Sequence, residues 1–273
     1  MLFDPSSCGA AIRLVPVPRR DGTMRNVLLL TATVTPPSGV PALQRTDPAQ
    51  RLRDYEDAFA FYLPMVGTTF EAIVFAENSA SDISSLRQMV ARSGVDTSRV
   101  DFLSFHGLDH PAAYGRGYGE FKLVDHAMNN APLLRDDAFV WKCTGRYKIA
   151  NIVDLVRSRP ANADIYCHFR DFPYRLCELF LLSFNRHGFR AAIEGAYKSL
   201  RNDAMPGIHS NEEVAFRKLA DSIPAGVKVV RRFNRTPIVE GKRGWDNSAY
   251  SGKWHPKIAL RRVAGLVAPW VWI

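Results

Sequence analysis

Phe139-Val140-Trp141-Lys142-Cys143-Thr144-Gly145-Arg146-Tyr147 decides how this chain is read, because an apolar run gives way at once to a lysine, a hydroxyl, a glycine and an arginine. Phe139 to Trp141 have the bulky apolar character that ends a buried strand. Gly145 then permits close backbone approach, and Lys142 and Arg146 supply the cationic donors that a diphosphate requires. Polar donors gathered behind an apolar strand are costly to bury without a ligand or water, which favours a binding role over a simple turn. The stretch therefore predicts the mouth of an anion-binding pocket at the end of a strand.

Outward from it, the chain alternates strands and helices. Asn26 to Val34 (NVLLLTATV) is a β-rich run closed by Thr35-Pro36-Pro37, and Asp54 to Leu63 has helical spacing with Tyr55, Phe59 and Tyr62 on one stripe. Phe70 to Ala76 reads as a strand, Asp82 to Arg92 as a helix, Val100 to Phe105 as a strand and Tyr118 to Asn129 as a helix. Such alternation implies an α/β domain with a mostly parallel sheet flanked by helices, and ligands at the carboxyl ends of its strands. Thr31 to Thr35, Glu77-Asn78-Ser79 and Lys142 to Tyr147 fall at those ends. Further on, Ala163 to Phe169 reads as a strand, Tyr174 to Arg186 as an apolar helix, and Asn211 to Ser222 as an amphipathic helix with Ser210 as its N-cap. From Arg231 the sequence is basic, Gly-rich and aromatic, with little periodicity. The expected organisation is one main domain over 24–230 and a C-terminal extension over 231–273.

Composition bounds the function. With 273 residues, 47% hydrophobic and 23% charged, the chain is not disordered by composition. A net charge of +9 favours anionic partners. Its basic residues are dispersed, with no helix-turn-helix, RNA-binding sheet signature or zinc module, so nucleic acid is not the expected partner. Cys8, Cys143, Cys167 and Cys177 include no Cys-x-x-Cys pair, which predicts reduced thiols and a cytoplasmic location. Arg13, Arg19, Arg20 and Asp21 interrupt the N-terminus, so no secretory signal is expected, and no run of about 18 apolar residues predicts a membrane span.

The order of motifs resembles a known group. An apolar strand ending in Thr31-Ala32-Thr33, a strand ending in Glu77-Asn78-Ser79, the run Gly115-Arg116-Gly117-Tyr118-Gly119-Glu120 entering a helix, and Lys142-Cys143-Thr144-Gly145-Arg146-Tyr147 together resemble bacterial glycosyltransferase-like proteins of polysaccharide and lipopolysaccharide biosynthesis. The likeness covers roughly residues 25 to 155. It implies a GT-A-like, Rossmann-related fold, a nucleotide-sugar donor, and a glycan or lipid-linked acceptor. The chain departs from the wider pattern in lacking Asp-x-Asp, whose place is taken by Lys142 to Tyr147. The resemblance therefore implies a leaving diphosphate neutralised by side-chain cations, with no cofactor and no metal on paired carboxylates.

Each candidate also has a plainer reading. Thr31 and Thr33 are expected at the nucleotide. Glu77 and Asn78 either hold the base or ribose or serve turn chemistry with Ser79. Lys142 and Arg146 are expected at the diphosphate with Thr144, Gly145 and Tyr147, and Lys142→Ala is expected to abolish turnover while leaving the fold intact. The glycine run reads as a flexible loop at a helix N-terminus, able to admit an anion. The general base is Glu213 or Glu212, although two glutamates in a first helical turn also suit the helix dipole, and Asp171 is the alternative. His168, His209 and His255 lack metal-ligand spacing. Lys257 to Ile273 suits either an interfacial segment on the anionic inner face of the cytoplasmic membrane or a docked C-terminus. The expected function is sugar transfer to a bacterial surface glycan, with a non-catalytic sugar-nucleotide or glycan-binding partner of a membrane assembly as the alternative.

Overall fold

A computed structural model describes residues 24–172, 174–204 and 211–251. Cys8, His209, Ser210, His255 and the 257–273 segment lie outside the described residues. The described residues open with β1 (Arg25–Ala32), buried on both faces from Val27, followed by α1 (Pro48–Tyr62), β2 (Ala72–Glu77), α2 (Ser84–Ser93), β3 (Val100–Ser104), α3 (Gly115–Asn130) and β4 (Ala138–Thr144). Next come β5 (Lys148–Ile149), α4 (Ile152–Arg157), β6 (Ile165–Arg170), β7 (Leu176–Phe184), the short α5 (Arg186–Gly188), α6 (Asn211–Asp221), β8 (Val229–Val230), β9 (Val239–Lys242) and β10 (Ala249–Ser251).

Seven strands form one sheet in the order β3-β2-β1-β4-β7-β6-β8. The pairings β1–β2, β2–β3, β1–β4 and β6–β8 are parallel, and β7 alone runs against its two neighbours. Alternate residues of β1 feed two apolar cores. Leu28 and Leu30 join Tyr55, Phe59 and Tyr62 of α1 on one face, while Val27 and Leu29 join Phe121 and Val124 of α3 and Phe216 of α6 on the other. Helices therefore cover both faces of a mostly parallel sheet, as the alternation predicts.

The element boundaries differ from expectation in instructive places. Helix α1 starts at Pro48 rather than Asp54, because Asp47 accepts a hydrogen bond from the Gln50 amide at 2.7 Å and proline suits the first helical turn. Helix α3 starts at Gly115, so the expected glycine loop forms its first turns. The segment from Tyr174 to Arg186 is not a helix: β7 fills the slot between β4 and β6. A short apolar run buried on both faces carries no period that separates strand from helix, and sheet pairing decides it. The described part of the 231–273 stretch packs on the main domain, with Phe233 and Val239 in the first core and β9 joining β5 and β10 in a small second sheet. Among the described residues, no helix is long and apolar enough to cross a membrane.

Candidate functional site

Strand order reverses at β1: the chain proceeds through β2 and β3 on one side and places β4 on the other. Such a reversal opens a crevice at the carboxyl ends of the strands. In that crevice Thr31 and Thr33 at the end of β1, Asn78 just after β2, and Thr144, Arg146 and Tyr147 at the end of β4 line one pocket. Helix α3 adds Arg116 and Glu120, α6 adds Glu212 and Glu213, and the C-terminal segment adds Trp245 and Tyr250. Pro36, Pro37, Val40 and Leu43 give the pocket an apolar rim.

The backbone turn after β4 is held against β1. The Gly145 amide donates to the Thr31 carbonyl at 2.8 Å, and a Cβ on Gly145 would lie 2.8 Å from that same oxygen. The close approach anticipated for Gly145 is thus made to a neighbouring strand. Arg146 follows. Its Nη2 donates to the Tyr147 hydroxyl at 3.1 Å, its Nε is buried with no partner, and among the described residues it forms no ion pair. Burial opposes its charge, but the Tyr147 and Tyr55 hydroxyls and Glu120 outweigh that cost and keep its pKa above the ordinary value. Glycines back it: a Cβ on Gly244 would sit 2.7 Å from Arg146 Nη2, and one on Gly241 2.9 Å from its carbonyl oxygen.

Lys142 has a different environment from the one expected. It is 0% exposed, its ammonium lies 2.7 Å from Glu120 Oε1, and it donates to the Leu179 carbonyl at 2.7 Å. Thr31 and Thr144 donate to the same Glu120 oxygen at 2.7 and 3.0 Å. Lys142, Thr31 and Thr144 are therefore organised by a carboxylate that was not among the expected site residues. Burial pushes the Glu120 carboxyl upward, but Lys142 and the two hydroxyls prevail and hold it below the usual range. Its signal was present: Glu120 shares a helical stripe of α3 with Gly117, Phe121 and Val124, which are buried.

Glu77 serves the turn. Its Oε1 accepts from the Val34 amide at 3.0 Å and the Ser79 amide at 2.8 Å, and Oε2 from the Ser81 amide at 3.1 Å, so its fully buried carboxylate ties the β1 and β2 ends together. Of its two expected roles, turn chemistry is the one seen. Asn78 reaches the pocket wall, where its Oδ1 accepts from Thr33 Oγ1 at 2.7 Å. Arg51 of α1 braces the same corner, donating to the Thr33 carbonyl at 2.7 Å, the Arg45 carbonyl at 2.9 Å and the Tyr55 hydroxyl at 3.0 Å.

The first turn of α6 brings both expected base candidates to the pocket. Arg116 Nη2 holds Glu212 Oε1 at 3.1 Å. Helix α6 packs close to α3: a Cβ on Gly117 would fall 2.2 Å from Glu212 Cβ. Asp171 lies elsewhere, paired with Arg217 at 2.9 Å. His168 stacks on Phe233, and among the described residues no three His, Cys, Asp or Glu side chains are grouped to hold a metal. Cys143, Cys167 and Cys177 are free, buried thiols, and burial pushes Cys143 up to about 12.

The chain matches no protein-family model and no curated protein sequence. Solved structures similar to it include the glycosyltransferase GlyE of Streptococcus pneumoniae TIGR4, at 11% identity and a TM-score of 0.46 over 76% of this chain and 45% of that one. The galactosyltransferase LgtC, solved with donor and acceptor sugar analogs, is similar at 11% identity and a TM-score of 0.42 over 75% of this chain and 73% of that one. The bifunctional WbbM shows 9% identity and a TM-score of 0.40, over 79% and 40%. All three are glycosyltransferases. The chain spans less than half the length of the GlyE chain it resembles.

Proposed function

We propose that the chain is a glycosyltransferase whose switch-point pocket takes a nucleotide-sugar donor by its diphosphate. The observation that carries this reading is Arg146, a half-buried guanidinium on the pocket wall that forms no ion pair among the described residues. Lys142 is matched by Glu120 and Arg116 by Glu212, so Arg146, with Arg51 beside it bonded to carbonyls and a hydroxyl, leaves the pocket cationic. A guanidinium fork fits phosphate oxygens and stabilises the charge that grows on a departing diphosphate.

In this reading Thr33 and Asn78 hold the nucleoside end and the Thr144 to Tyr147 turn holds the diphosphate. Glu213 or Glu212, both in the first turn of α6 on the pocket wall, is the base for the acceptor hydroxyl. The nucleotide-sugar-binding and acceptor domain spans 24–230, and the 231–273 extension adds Trp245 and Tyr250 to the pocket lining. The acceptor is a bacterial surface polysaccharide or lipopolysaccharide glycan, lipid-linked where the basic aromatic 257–273 segment meets an anionic membrane. The work takes place in the cytoplasm or at the inner membrane face.

Calorimetric titration with UDP, GDP, ADP and dTDP, and with their sugar conjugates, tests the reading. Binding of one nucleotide family that persists in EDTA and is lost in Arg146→Ala is expected. Failure of every nucleotide and conjugate to bind the wild-type protein would overturn it.

A further inference from the structure

Glu120 is held in an unusual way for a pocket carboxylate. Thr31 Oγ1, Thr144 Oγ1 and Lys142 Nζ all make their close contacts with Oε1, at 2.7, 3.0 and 2.7 Å. Among the described residues no hydrogen bond ends on Oε2. The side chain is 24% exposed, it lines the pocket, and Oε2 is not among the buried polar atoms that lack a partner. With Oε1 taken by three donors, the oxygen that this pocket-lining side chain leaves open to a ligand is Oε2.

From this geometry we infer that Glu120 Oε2 is a fixed acceptor for a hydroxyl of the donor's sugar, and that the pocket is built for neutral, polyhydroxylated sugars rather than for uronic acids. The inference rests on the donor-site reading above. A carboxylate that already accepts three hydrogen-bonding donors on one oxygen is a weak base, so its role is recognition and not proton removal. Its orientation is set before any ligand arrives, so little ordering cost is paid on binding. A sugar hydroxyl gains a charge-assisted hydrogen bond there, while a second carboxylate brought to the same place meets like charge. Lys142, Thr31 and Thr144 are positioning residues in this scheme, acting on the sugar through Glu120.

The test compares, for UDP, GDP, ADP and dTDP, the affinity of the free nucleotide with that of its glucose conjugate, in the wild type and in Glu120→Gln. The glutamine keeps the side chain's shape and puts an amide where the carboxylate meets solvent. For the nucleotide that binds, glucose is expected to add affinity in the wild type, and the variant is expected to lose about tenfold of that increment, taken relative to the variant's own affinity for the free nucleotide. The glucuronate conjugate of UDP is expected to bind the wild type less tightly than UDP-glucose, with the gap narrowed in the variant. Glu120→Asp, which keeps a charge opposite Lys142 but withdraws it from the cavity, supplies the same comparison should Glu120→Gln not fold. An equal glucose increment in wild type and variants, or no increment in the wild type, overturns the inference and leaves the donor site standing. No binding of any nucleotide or conjugate to the wild type overturns both.

Discussion

Arg146 and Lys142 lie four residues apart in the same basic stretch, yet burial gives them opposite work. Arg146 lines the pocket with no ion pair among the described residues, whereas Lys142 spends its charge on Glu120 and the Leu179 carbonyl. Arg146→Ala should therefore weaken nucleoside diphosphate binding by roughly 10- to 100-fold, the worth of one or two charge-assisted hydrogen bonds, as read by calorimetry. Arg146→Lys should recover only part of it, because a point charge cannot replace the fork. Lys142→Ala should fail for another reason. Removing the ammonium leaves the 24% exposed Glu120 carboxylate without its cation, so a loss of about 1–3 kcal/mol in chemical denaturation is expected, rather than the intact fold that its place in the sequence suggests. The cationic stretch after β4 was legible because charges rarely follow a buried strand without cause. The split between its cations was not, since it depends on Glu120, which the fold brings from a helix 22 residues upstream (142 minus 120).

Helices and strands carry the next set of consequences. Gly115, Gly117 and Gly119 are buried within α3, and Gly117 makes room for Glu212 of α6. Gly117→Ala should push α6 away, costing about 1–3 kcal/mol in thermal unfolding, and it should disturb the pocket through Glu212 and Glu213. A second contact of α3 is sensitive to pH. Asp125 Oδ2 accepts from the Gly195 amide at 2.8 Å, but its Oδ1 is buried without a partner, and burial raises its pKa to about 6, with Glu194 adding to the rise and the Gly195 amide and Lys198 opposing it. A carboxyl raised in the folded state contributes stability below its unfolded value and loses it as pH rises through about 6. Asp125→Asn should therefore gain melting temperature on the wild type at about pH 8 and lose that advantage at about pH 4. Most elements were legible because amphipathic or β-rich runs announce them. Strand β7 was not, because the run Leu176 to Phe184 is almost wholly apolar, and only its two antiparallel neighbours determine what it becomes.

At the scale of the whole molecule, the +9 charge draws anions without selecting among them. Binding governed by that diffuse charge would fall steeply with salt, whereas binding at a partly buried guanidinium is screened much less. Nucleoside diphosphate affinity should therefore change by less than about tenfold between roughly 0.05 and 0.5 M NaCl, measured by titration. The sheet class was legible from alternation, but its order was not, since nothing local states that β4 returns beside β1. That return creates the crevice and brings Thr31 to Thr144.

The glycines behind Arg146 also bear on how the protein is made. Gly241 and Gly244 belong to a segment translated about a hundred residues after the arginine they support, and β9 must pair with β5 before they can reach it. On the ribosome, the sheet from β1 to β4 can assemble while its guanidinium still faces water. The pocket wall around Arg146 therefore matures last, and a chain cut short before β9 would leave that arginine the Tyr147 hydroxyl but neither glycine behind it.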